Sequence, residues 1–516
     1  MKKLLMIFLI ITISFSLIAC KEDPEDPTDP TDPVDPIDLC DFDEINPLQD
    51  VYYQIFVRSF ADSDGDGIGD LNGITQNLDY LEELGITALW LLPVHPSPSY
   101  HGYDVTDYYG INSDYGTMED FDNLVDAANE RDIKIVMDLV INHTSDQHPW
   151  FQDAISSTSS PYRDYYVFNN GVPYSYFVGG MMDLNFENPE VIDEIYNIVD
   201  FYLAKGVHGF RLDAAMHFIE GINADWENTL FLLNLKSHMS ENYPNSYILP
   251  EVFVPQYSLI SDYYIGSDSL FNFYFRNEVM DKIGMENSRS NFVSNLNRAY
   301  DTFRDVDPEF IDAPILGNHD VDRIASSQGF YNKPNKLALA ARVLMTLPGN
   351  PFIYYGDELG MKGYRYEGTN IPGYGVVYDE YRRQPFMWGD PTYETSWLPS
   401  DGSNNDTLDL EAQKLDGSSL FNTYKDMIEI RKDNPALMYG NYFEPYVNNV
   451  LQIQGYVRYY EHEAFKQAVL VIHNMTPDPY EVDVEYLEFI YGDSLLIDGY
   501  GSIILEIDPE LIEGYV

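Results

Sequence analysis

The feature that most restricts the fold is a regular alternation. Eight short apolar runs (Val51–Phe56, Thr87–Val94, Lys134–Ile141, His208–Leu212, Tyr247–Val252, Leu270–Phe273, Ala313–Leu316 and Phe352–Tyr355) are separated by longer stretches of helical periodicity, such as Met118–Glu130, Glu190–Ala204 and Leu337–Thr346. Strands that alternate with amphipathic helices pair in parallel, because each helix carries the chain back to the edge it left. Eight such units predict an α/β fold, a closed (β/α)8 TIM barrel. No Gly-x-Gly-x-x-Gly turn follows the first run, which argues against a dinucleotide site. The alternation is interrupted once. Thr144 to about Met182 is rich in aromatic and turn residues, which predicts an inserted loop domain after strand 3 that walls a cleft. Beyond the helical run Leu420–Lys432, two-residue alternation in Val469–His473 and Ser502–Ile507 predicts a C-terminal antiparallel β-sandwich. The boundaries read as 45–143 and 186–437 for the barrel, 144–185 for the insertion and 438–516 for the last domain.

Chemistry-bearing residues gather where the predicted strands end. In Gly209–His217, Arg211 and Asp213 stand two apart on one strand and leave the same face. A guanidinium beside an aspartate favours the ionised carboxylate, which suits a nucleophile; an ordinary ion pair stapling a strand end is the alternative. Tyr247-Ile248-Leu249-Pro250 runs into Glu251, and Ile315-Leu316-Gly317-Asn318 into His319 and Asp320. Asp138-Leu139-Val140-Ile141 emerges into Asn142 and His143, and the second strand leads to His101-Gly102-Tyr103-Asp104. A barrel collects all of these at the C-terminal mouth of its strands, where barrel enzymes hold their chemistry. After the first strand, Asp62, Asp64, Asp66 and Asp70 recur through a glycine-rich turn with Ile68. Such carboxylates repel one another unless they surround a hard cation, so this reads as a calcium-type loop. It lacks the closing glutamate of an EF-hand, having Gly73 there.

Asp138–His143, Gly209–His217, Glu251 and Asn318–Asp320 stand in the order and spacing of the α-amylase family, glycoside hydrolase family 13, which the chain resembles from roughly Leu48 onward. Met182–Asn185 and Gly349–Glu358 resemble its accessory signatures. The resemblance implies a monomeric, extracellular, calcium-dependent retaining hydrolase that cleaves α-1,4-glucosidic bonds of starch or maltodextrins. It implies Asp213 as nucleophile, Glu251 as general acid and base, and Asp320 as the third catalytic carboxylate. Substrate contacts are implied for Tyr103, Asp104, His143, Arg211, His217, His319 and Arg323. A second calcium is implied at Asn142, Asp183 and the carbonyl of His217. The first loop, with Asp62, Asp64, Asp66, Ile68 and Asp70, resembles that of the oligo-1,6-glucosidase and neopullulanase branches. Neopullulanase, cyclomaltodextrinase or α-glucosidase activity with transglycosylation therefore stands as the alternative. A non-catalytic glycan-binding protein is the rival from another class. One departure is Met216, where family members often carry a lysine that touches the leaving sugars.

The N-terminus is read separately. Met1-Lys2-Lys3 and the apolar run Leu4–Ile18 make an export signal (1–19), ending in Leu17-Ile18-Ala19-Cys20, which resembles a bacterial lipobox. That implies acylation of Cys20 and a location on the outer face of a bacterial membrane. Residues 20–44 repeat Asp-Pro, an extended tether that at about 3.1 Å per residue reaches roughly 50 Å. With Cys20 acylated, Cys40 has no disulfide partner in the chain. Against 29 basic residues stand 85 acidic ones, a net charge of −56 that disfavours nucleic acid and anionic lipid as partners. The charge suits a high-salt habitat and an acidic exoprotein equally.

Overall fold

The computed structural model describes residues 46–177 and 180–516. The export signal, Cys20, the tether and Cys40 lie outside the described residues. The eight apolar runs form parallel strands: β1 (Tyr52–Ile55), β2 (Ala88–Leu91), β3 (Lys134–Leu139), β4 (Gly209–Leu212), β5 (Tyr247–Pro250), β6 (Ser269–Asn272), β7 (Ile311–Pro314) and β8 (Phe352–Tyr354). Hydrogen bonding runs in the order β8-β1-β2-β3-β4-β5, and β6 pairs with β7. Two short links close the circuit. Asp268 donates its N–H to the Ile248 carbonyl and accepts the Ile248 N–H on its side chain, which joins β5 to the start of β6. A parallel bridge between Ile315 and Phe352 joins β7 to β8. The fold is the expected (β/α)8 barrel.

The barrel floor is aromatic. Tyr52 stacks on Phe352 at 4.3 Å, and Phe271 meets both Phe352 and Trp90 at about 5 Å. Filling the interior with rings leaves a dry, rigid base on which polar groups at the upper rim are fixed. The helices follow local signals. Met118–Asn129 begins with a capping box in which Thr117 and Asp120 satisfy each other's backbone N–H groups. Pro189–Leu203 starts with proline at its first turn behind the Asn188 cap.

The inserted segment is tied at its base by an antiparallel pair, His143–Ser145 against Met181–Asp183. After the barrel, β9 (Tyr442–Pro445), β10 (Ile453–His462), β11 (Phe465–Asn474), β12 (Glu488–Tyr491) and β13 (Ser502–Ile507) form one antiparallel sheet in the order β9-β10-β11-β13-β12. Alternation decides its packing: Val469, Val471 and Ile504 join the main core, while Leu470, Ile472, Ile503 and Leu505 pack with Val482 and Ile497 on the other face. Two buried arginines fasten this junction. Arg458 on β10 donates to the carbonyls of Tyr442, Thr346, Leu437 and Gly440. Arg431 donates to those of Met345, Leu347 and Gly349. Together they satisfy the carbonyl end of helix Pro334–Thr346, where the helix dipole favours cations.

Candidate active site

Parallel register sets the site. Asp138 and Arg211 are opposite partners on β3 and β4, so their side chains leave at one level. Arg211 is fully buried, and its Nη1 donates to both oxygens of Asp138 at 2.8 and 2.9 Å and to Asp213 Oδ1 at 2.9 Å. Its Nη2 lies 2.9 Å from Glu251 Oε1. One guanidinium thus hydrogen-bonds Asp213, just past β4, through Nη1 and lies in close charge contact with Glu251, just past β5, through Nη2. The turn after Asp213 places Ala214 in the left-handed region (φ 50°), which brings its N–H to 3.3 Å from Glu251 Oε2. Burial, reinforced by the charges of Asp213, Asp320 and Asp138 and opposed by Arg211, pushes Glu251 up to about 8. A carboxyl kept protonated at neutral pH beside another carboxylate is the division of labour that acid-assisted glycoside cleavage needs.

These carboxylates open into a cleft of about 630 Å³ together with Asp320, Tyr103, His143 and His217. Tyr103 lies on the wall, donating its hydroxyl to Asp138 Oδ2 at 2.9 Å. His143 donates Nε2–H to the Tyr103 carbonyl and accepts the Asn142 side-chain amide at Nδ1. Arg383 donates to Tyr100 Oη and sits 3.0 Å from Asp379 and 3.4 Å from Asp320.

Four expected substrate contacts take other positions. The Asp104 carboxylate accepts the hydroxyls of Ser97 and Ser99 and does not line the cleft, because its own loop satisfies it. Arg211 lies beneath the carboxylates and reaches the cleft only through them. His319 is fully buried, stacked parallel to Tyr103 at 5.4 Å with its Nε2 3.0 Å from Asp320. Arg323 points into the protein, donating to the carbonyls of Tyr355 and Arg382 and lying on the Tyr354 ring. Conversely, the walls include Tyr176, Phe177, Met181, Phe253 and Asp379, which no motif marked. Tyr176 stacks on His217 at 3.8 Å.

Two places fit a hard cation. Asp62, Asp64 and Asp70 bring carboxylate oxygens within 4.8 Å of one another. Asp66 lies outside this cluster. Near the insertion, Asn142 Oδ1 is buried and has no hydrogen-bond partner among the described residues, while its amide is spent on His143. Asp183 is pushed up to about 7 by burial and, with His217, lines a neighbouring crevice. An orphaned amide oxygen and a buried carboxylate without a cationic partner are the donor chemistry calcium takes.

The sequence matches the family described as alpha amylase, catalytic domain, over residues 54–440. The chain belongs to the α-amylase family. It is therefore an enzyme of the glycoside hydrolase type, acting on glucans. Alpha-amylase 3 of Dictyoglomus thermophilum is 40% identical over 444 residues, covering 82% of this chain and 84% of that protein. A 4-alpha-glucanotransferase of Thermotoga maritima is 34% identical over 413 residues, covering 74% and 87%. Among solved structures, the α-amylase from H. orenii superposes with a TM-score of 0.79 at 36% identity, covering 89% of this chain and all of that one.

Proposed function

We propose that this α-amylase family member is a retaining hydrolase of α-1,4-glucosidic bonds in starch or maltodextrins, held on the outer face of a bacterial membrane by an acylated Cys20. The observation that carries the chemistry is the single Arg211 guanidinium shared by Asp213 and Glu251. Asp213 attacks the anomeric carbon as Glu251 passes its proton to the glycosidic oxygen; the carbon–oxygen bond breaks and a glycosyl ester forms on Asp213. Glu251, now ionised, takes a proton from water, whose oxygen attacks the same carbon and releases Asp213 with retained configuration. Asp320 binds ring hydroxyls, with Tyr103 stacking against the sugar and His143 beside it. Similarity to Alpha-amylase 3 supports the hydrolytic reading, and the likeness to a glucanotransferase keeps sugar acceptors as the second reading. The apolar wall of Phe177, Met216 and Phe253 favours that alternative, since it can receive the face of a sugar. A product time course on amylose, pullulan and cyclodextrin tests this. Mixed-length maltooligosaccharides from amylose support the amylase; panose or rapid cyclodextrin opening moves the assignment to the neopullulanase side.

Glu251 works as an acid only while protonated. Its raised value therefore predicts that kcat/KM falls as pH rises through about 8. The limb should vanish for a maltosyl fluoride substrate, whose leaving group needs no proton. A limb unchanged with that substrate would assign it elsewhere.

Calcium completes the reading. Asp62, Asp64 and Asp70 with the Ile68 carbonyl would hold one ion, and Asn142, Asp183 and the His217 carbonyl a second; both ions would supply fixed positive charge that ties loops to the barrel. Bound at a hundredfold excess over its Kd, an ion adds about 2.7 kcal/mol. Chelation should therefore lower the unfolding midpoint, and D62N with D64N should remove most of that response at the first loop. An equal chelator response in wild type and variant would count against the first site.

A further inference from the structure

Gln54 stands in β1 with 1% of its surface exposed, among Tyr52, Tyr53 and Ile55. A primary amide inside a barrel is costly unless its hydrogen bonds are made. Its Nε2 lies 2.8 Å from Nδ1 of His319. Amide hydrogens can only be donated, so Nδ1 presents its lone pair and the ring hydrogen is left on Nε2. The other end of the ring agrees in direction. Tyr103 gives its hydroxyl hydrogen to Asp138, so its oxygen accepts from His319 Nε2, 2.6 Å away. Asp320 Oδ2, at 3.0 Å from the same nitrogen, is also an acceptor. An Nδ1–H ring would set a bare nitrogen against that carboxylate, and an imidazolium would set N–H against the amide N–H.

We infer that Gln54 is a positioning residue that holds His319 as the neutral Nε2–H tautomer, so that one ring hydrogen orients both Asp320 and Tyr103 around the bound sugar. The groups facing the ring are Asp320, Tyr103, Arg383 and Arg211, with the Trp90 edge at 5.7 Å. Burial holds His319 below the ordinary histidine range; the two arginines add to this and Asp320 opposes it. A histidine beside a carboxylate normally gains a proton; burial and the two arginines oppose this here, and the occupied Nδ1 leaves the second proton no acceptor. The catalytic consequence rests on the proposed function, whereas the tautomer does not.

The test uses the full chain labelled with nitrogen-15 histidine, with His319 assigned by its loss in H319N. Wild type should show a neutral ring protonated at Nε2 at neutral pH and above. Q54E keeps the side-chain size but offers Nδ1 an acceptor. It should convert His319 to the imidazolium at neutral pH and lower kcat on the order of 100-fold, as small misplacements of reacting groups do, with a smaller change in KM. An Nδ1–H or imidazolium ring in wild type overturns the inference even if Q54E does not fold. A folded Q54E with unchanged ring signals and kcat overturns it as well. Wild-type spectra as expected in an enzyme inactive on every glucan would retire the substrate reading and leave the tautomer lock standing.

Discussion

Replacing Asp213 by asparagine lowers kcat on amylose by about 10⁴-fold or more, while maltooligosaccharide binding stays within a few-fold of wild type. The amide has the shape of the carboxylate and can still meet Arg211 with its oxygen, so the cleft keeps its form. It cannot form the glycosyl ester, and without that intermediate the single-step path to water is slow. Calorimetric titration of the variant with maltoheptaose, set beside its turnover, separates the two quantities. Turnover within tenfold of wild type would remove Asp213 from the nucleophile's place. Loss of binding along with turnover would mean that the carboxylate holds the cleft together and would leave its chemical role to be tested by trapping. E251Q should lose activity on amylose to a similar degree yet still form the glycosyl ester from a maltosyl fluoride, seen as a burst of fluoride release ahead of slow turnover, a contrast that D213N does not share.

The second large effect lies far from the cleft. R458M removes a buried cation whose donors satisfy four carbonyls. Methionine restores packing and relieves the cost of burying charge, but the carbonyls lose their partner in a place water does not reach. Each such loss costs about 1–3 kcal/mol, and the orphaned acceptors outweigh the relief. A net destabilisation of about 3–5 kcal/mol is expected, seen as a clear drop in thermal midpoint with kcat at low temperature unchanged. A midpoint within 1–2 °C of wild type, a change too small for such a loss, would show that the arginine is dispensable.

What could be read from the sequence follows from what is local. All eight strands announce themselves by apolar runs between helical patterns, and the three carboxylates stand at strand ends, where any barrel would gather them. Arg211 and Asp213 needed only the two-residue repeat of a strand. For His319, Arg323 and Asp104 the resemblance implies sugar contacts, but depth below the rim is set by distant partners such as Tyr355 and Arg382 for Arg323. Tyr176 and Phe253 belong to irregular loops whose paths no periodicity describes. Gln54 was hidden differently: it lies inside a run that reads as a strand throughout, and its polarity among aromatic neighbours was the one available signal.

The closure of the barrel bears on how the chain is made. Strand β1 is bonded on one side to β2, nearby in sequence, and on the other to β8, with Asp50 N–H also reaching Asn350 across 300 residues. For a chain produced without its export signal, on a ribosome adding 5–20 residues per second, the first strand waits roughly 15–60 s for its second neighbour. During that interval an apolar edge stands open to other nascent chains. The yield of soluble enzyme should therefore depend on translation speed and chaperone supply more than on the stability of the finished barrel.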